Sequence, residues 1–125
     1  MRWLVHGNLT PAVAEALVRH GHTAETVGSA QAKDFDALTK LVRSSQRDLM
    51  TNDKAFVQHL LDKPTKLDRS VVHIQLAGGD VEQDDAVDRL FERYDRLKPG
   101  MLYTVTETRV KIRQLPSSFT SRETE

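Results

Sequence analysis

Cysteine is absent from this 125-residue chain. That excludes disulfides, thiolate metal sites and cysteine nucleophiles together. Net charge is absent too, because 18 Lys and Arg balance 18 Asp and Glu. The chain as a whole therefore offers no single-sign field to a polyelectrolyte, although a local patch stays open. No apolar run approaches the roughly 20 residues that a membrane-spanning helix needs, so no membrane partner is expected. Residues 1–20 lack the basic start and apolar stretch of a secretory leader. With the missing cysteines, this fits a cytoplasmic protein. Glycine and proline are few, 6 and 4, so each one stands out as punctuation.

What is there is an ordinary globular mixture, 38% hydrophobic and 29% charged. One domain of this length buries roughly 65% of its unfolded surface and needs no staple. Arg2–His6 reads as a first strand, its near-continuous apolar run suiting burial on both faces. Thr10-Pro11 marks a helix start, with Val13, Leu17 and Val18 on one face and Gly21 closing it. Thr23–Val27 is a weaker second strand, and Gly28–Lys33 a loop. Asp34 can cap a second helix over Phe35–Ser45, striped by Phe35, Leu38, Leu41 and Val42. A third strand over Arg47–Thr51 leads to Asp53, which opens a third helix carrying Phe56, Val57, Leu60 and Leu61 and ending at Lys63-Pro64.

Ser70–Leu76 is the fourth strand, followed by the loop Ala77-Gly78-Gly79-Asp80. The strongest helix runs over Val81–Leu97, with Val87, Leu90, Phe91, Tyr94 and Leu97 at helical spacing and Glu82, Asp84 and Asp85 in its first turns. After Pro99-Gly100, Met101–Thr106 and Arg109–Leu115 alternate about Glu107-Thr108 as a β-hairpin. Pro116–Glu125 is a polar tail that frays.

Strand and helix thus alternate four times before a hairpin. That order predicts an α/β fold with a mostly parallel sheet and helices on both faces. Any site belongs beyond the carboxyl ends of the strands. Those ends carry His6-Gly7-Asn8, Thr51-Asn52-Asp53 and Ala77-Gly78-Gly79-Asp80. If the first and third strands are neighbours, His6 and Asp53 meet across a crevice, and Asp34 approaches from the loop.

The stretches WLVHGNLTPAVAEALVRHGH, AKDFDAL, LMTNDKAF and PGMLYTVTETRVKIRQLP together resemble the compact PIN-like domains, relatives of the VapC-type toxin ribonucleases. The resemblance covers residues 1–116 and leaves 117–125 as a flexible tail. It implies a PIN-like three-layer sandwich with a C-terminal β-hairpin. It also implies descent from an enzyme that cuts RNA with Mg²⁺ or Mn²⁺ held by converging carboxylates. Such ions take oxygen ligands, activate water and neutralise phosphate charge. The implied ligands are Asp34, Asp36 and Asp53, with Asp53, Asp34 and His6 as the catalytic set. Asn8, Thr51 and Asn52 would line the substrate side.

The family pattern places Asp at the end of the first strand, often followed by Glu, and a second acid two residues after Asp53. Here those positions hold His6, Gly7 and Ala55. The implied function is a toxin-nuclease descendant with weakened or lost cleavage and a binding role. The alternative is an active endoribonuclease using Asp34, Asp36 and Asp53. On the first reading the chain binds Mg²⁺ or Mn²⁺ weakly or binds no metal. The implied partners are RNA, an antitoxin-like protein or a second copy of the chain.

Plainer roles stand beside these. Asp34 and Asp53 can each be a helix N-cap, worth about 1 kcal/mol. His6 can be a hydrogen-bonded structural residue, and Thr51 a strand end that caps the next turn. Arg109, Lys111 and Arg113 share one face of the hairpin, with Val110 and Ile112 on the other, as a strand's period of two requires. That face is either a solvated surface or an RNA contact. His20, His22, His59 and His73 show no metal-site spacing.

Overall fold

A computed structural model describes residues 1–28, 33–62 and 67–116 of the chain. Within them lie six strands and four helices in alternation: β1 (Arg2–His6), α1 (Pro11–Arg19), β2 (Thr23–Thr26), α2 (Phe35–Ser45), β3 (Asp48–Thr51), α3 (Lys54–Asp62), β4 (Val71–Ile74), α4 (Asp80–Arg93), β5 (Met101–Val105) and β6 (Val110–Gln114). Most of the Gly28–Lys33 loop, the Lys63-Pro64 stop and the tail from 117 lie outside the described residues. No helix of the described residues is long and apolar enough to cross a membrane.

Three expectations shift. The fourth strand, expected over Ser70–Leu76, spans only Val71–Ile74. The helix predicted over Val81–Leu97 stops at Arg93, because Tyr94 is extended at φ −130°, ψ 110°. The apolar spacing runs on past the break because Leu97 is still buried and Tyr94 still packs on Tyr103. Val18, expected on the inner face of α1, is 60% exposed, whereas Val13 and Leu17 are fully buried.

The six strands form one sheet in the order β2-β1-β3-β4-β5-β6. All neighbours are parallel except β5 and β6, which pair antiparallel as the predicted hairpin. The chain steps from β1 to β2 on one side and then crosses back to β3 on the other. The direction of winding therefore reverses between β1 and β3, the position where α/β sheets open a crevice.

Successive side chains point to opposite faces, so the register sorts the residues. One face carries Trp3, Val5, Met50, Val72, Ile74, Tyr103 and Val105, packed with Val13 and Leu17 of α1 and Val87 and Leu90 of α4. The other carries Leu4, Leu49, Val71 and Leu102 against Leu38 and Val42 of α2 and Phe56, Val57 and Leu60 of α3. On that second face the next row toward the carboxyl ends is polar. It runs His6, Thr51, His73, Thr104 and Lys111, each in register with the one before. A hydrophobic floor thus ends in a line of hydrogen-bonding groups along the edge where the crevice lies.

Candidate functional site

Beyond the carboxyl ends of β1 and β3 lies a crevice of about 510 Å³. Its lining includes His6, Gly7, Asn8, Asn52, Asp53 and Lys54. The parallel pairing of β1 with β3 sets His6 directly against Thr51. His6 is buried, and its Nδ1 lies 2.9 Å from the Thr51 hydroxyl. The Asp53 backbone N–H donates to that same hydroxyl oxygen at 3.0 Å. With Nδ1 unprotonated, the Thr51 O–H is left to donate to the ring. The Phe56 ring meets His6 edge-on, centroids 5.4 Å apart. The histidine at the end of β1 is therefore fixed by a hydroxyl from β3 and an aromatic from α3.

Gly7 adopts φ +92°, a conformation that favours glycine. A Cβ there would stand 2.4 Å from the Asn52 side-chain oxygen. That oxygen accepts the Asn8 backbone N–H at 2.8 Å, so Asn52 bridges the two strand ends through the space a larger residue at position 7 would take.

The acids occupy separate places. Asp53 lines the crevice, and its Oδ1 accepts the Ala55 and Phe56 N–H groups at 3.0 and 3.2 Å. It caps α3. Asp34 caps α2 by accepting the Ala37 N–H at 3.1 Å. Asp36 lies 3.3 Å from Nε2 of His59 on α3. Phe35 brings the start of α2 onto Phe56, 5.2 Å between rings, yet neither Asp34 nor Asp36 lines the crevice. Of the residues singled out by sequence, the structure brings His6, Asn8, Asn52 and Asp53 together around the crevice with Thr51 beneath. It leaves Asp34 and Asp36 in other roles. Among the described residues no group of three His, Asp or Glu side chains could hold a metal ion. Of the three ligands that the resemblance implies, only Asp53 lines the crevice.

Two residues near the site were missed by sequence reasoning. Lys54 lines both the crevice and a second groove beside it. A signal existed: Lys54 is the first residue of α3, where the helix dipole disfavours a cation. His73, set aside as one of the scattered histidines, shares the polar row with His6, Thr51 standing between them. Burial, then the charge of Lys54, holds the His73 pKa below the usual histidine value, with Asp53 opposing. Nothing in the spacing could have placed it, because the neighbour relation of β3 and β4 is tertiary.

Compared with known proteins, the chain matches no family model, no curated protein and no solved structure.

Proposed function

We propose that this chain is a PIN-like domain of toxin-nuclease descent in which metal-dependent RNA cleavage is lost or strongly weakened and the crevice serves to bind RNA. The observation that carries this reading is the state of His6. It stands where the family pattern has its first aspartate, and it is buried against Thr51 and Phe56. Imidazole is a poor partner for Mg²⁺. Gly7 and Asn52 support the same reading, since the Asn52 amide fills the space where the pattern often has Glu. Asn8, Asn52 and Lys54 remain as polar and cationic lining for a phosphate backbone. The alternative, an active Mg²⁺- or Mn²⁺-dependent nuclease, is favoured only by Asp53, whose Oδ2 is not used in the cap.

The test is to add labelled single-stranded RNA to the purified chain with Mn²⁺, with Mg²⁺ and with chelator, following anisotropy and strand length together. The expected result is binding that survives chelation, with the RNA left intact. Cleavage that disappears in Asp53→Ala would establish the nuclease instead. Absence of both binding and cleavage would remove the RNA reading and leave a protein partner or a second copy as the crevice's occupant.

A further inference from the structure

Beside the crevice, between α3 and the hairpin, runs a groove of about 390 Å³. Its size falls in the range of small-molecule sites. Val57 and Leu61 of α3 and Leu102 of β5 give it an apolar wall. Its polar lining is one-sided. Lys54, Lys111 and Arg113 supply three cations, and Gln58, Gln75, His73 and Thr104 supply neutral polar groups, but no carboxylate lines it. This occurs in a chain whose total charge is zero. Among the described residues none of the three cations forms an ion pair. The nearby acids Asp62, which accepts from the Gln58 side-chain N–H at 2.7 Å, and Asp53, which caps α3, do not line the groove, although the charge of Asp53 opposes that of Lys54 at His73.

The register explains why the cations converge. Lys111 is opposite Thr104 and Arg113 opposite Leu102, so both point to the face of the sheet that α3 covers. Lys54 enters from the opposite wall. Charges on an edge strand commonly serve only to discourage strand pairing. That role explains Lys111 and Arg113, but not a lysine on the facing helix at the end where it costs stability. Burial first, and then the charge of Lys54, lowers the pKa of His73 in the same groove, with Asp53 opposing.

We propose that this groove is a binding site for a small organic phosphate, a phosphate monoester on an apolar body. The phosphate sits among Lys54, Lys111 and Arg113, and the body lies on Val57, Leu61 and Leu102. Arginine and lysine together offer directed and diffuse donors to a dianion. The proposal does not rest on the RNA reading of the crevice, because it draws on a different cavity and different side chains apart from Lys54.

The experiment titrates the isotope-labelled full chain with 1-naphthyl phosphate, 1-naphthol and inorganic phosphate, reading amide and side-chain NMR shifts. Saturable shifts are expected from 1-naphthyl phosphate at Lys54, His73, Thr104, Lys111 and Arg113. Inorganic phosphate should move the same signals more weakly and compete. The double variant Lys111→Glu with Arg113→Glu should lose at least tenfold in affinity. Lys54→Glu should also bind more weakly while melting no lower than the parent, which separates a ligand role from a structural one. Equal binding of 1-naphthol would overturn the phosphate assignment. Unsaturated shifts at millimolar ligand, or shifts unchanged by the charge reversals, would overturn the site.

Discussion

Gly7 carries the tightest constraint in the crevice. Its φ of +92° is strained for any other residue, and a Cβ would meet the Asn52 side-chain oxygen at 2.4 Å. Strain of this kind costs about 1–3 kcal/mol. Gly7→Ala should therefore lower stability by that order, measured as a urea midpoint shift at unchanged slope. Asn52→Ala in the same background should recover part of the loss by removing the collision, though not the φ penalty. If the double variant is no more stable than Gly7→Ala, the Asn52 bridge does not set the position. The same geometry bears on restoring the family's acids. His6→Asp alone has room to be tried, whereas adding Gly7→Glu forces Asn52 out. At this scale the sequence exposes half of the site. His6, Asn8, Asn52 and Asp53 are legible because polar residues at strand ends and helix starts stand out against an apolar run. The Thr51 bond to His6 is not, since it exists only because β1 and β3 are neighbours.

Helix starts are legible for a local reason, and one of them is instructive in its difference. Asp34 and Asp53 cap α2 and α3 as expected, because an acidic side chain reaches N–H groups two or three residues on whatever the rest of the chain does. Thr10 precedes Pro11 in the expected place, but its side chain makes no capping bond, and its buried hydroxyl is without a partner among the described residues. The Thr10 backbone N–H instead donates to Oε1 of Gln83 on α4 at 2.8 Å. A tertiary bond ties down the loop before α1. Asp34→Ala should cost about 1 kcal/mol and Asp34→Asn much less, since asparagine caps nearly as well. Thr10→Ala should cost little, whereas Gln83→Leu removes the acceptor of a part-buried N–H and should cost about 1 kcal/mol. Thermal or urea unfolding of the four variants checks the order. A Thr10→Ala loss as large as that of Asp34→Ala would restore the hydroxyl as a cap. A combined loss of Asp34→Ala and Asp53→Ala well above the sum of the two would point to carboxylates acting as a unit rather than as separate caps.

The described residues build two cores on one sheet. The alternation of strands and helices makes the parallel sheet and the two helical faces readable, because a parallel connection needs a crossover helix. The strand order and the crevice between β1 and β3 are not readable, because helix patterning does not say on which side of its neighbour a strand is laid. Since both faces share the backbone of β1, β3 and β4, loss of packing on one face should unfold the other. Trp3, the single tryptophan, is buried among the residues packed with α1 and α4, and so reports one core alone. Phe56 is buried in the opposite core, against His6 and Phe35. Phe56→Ala should cost about 3–5 kcal/mol. Followed in urea by Trp3 fluorescence and by far-ultraviolet circular dichroism, the variant should show a single transition at a lower midpoint, coincident by the two probes. A tryptophan signal that holds while helicity falls would mean that α2 and α3 can melt over an intact sheet. The polar row from His6 to Lys111 would then open without global unfolding, and both cavities that α3 helps to line would be gated by that local event rather than held preformed.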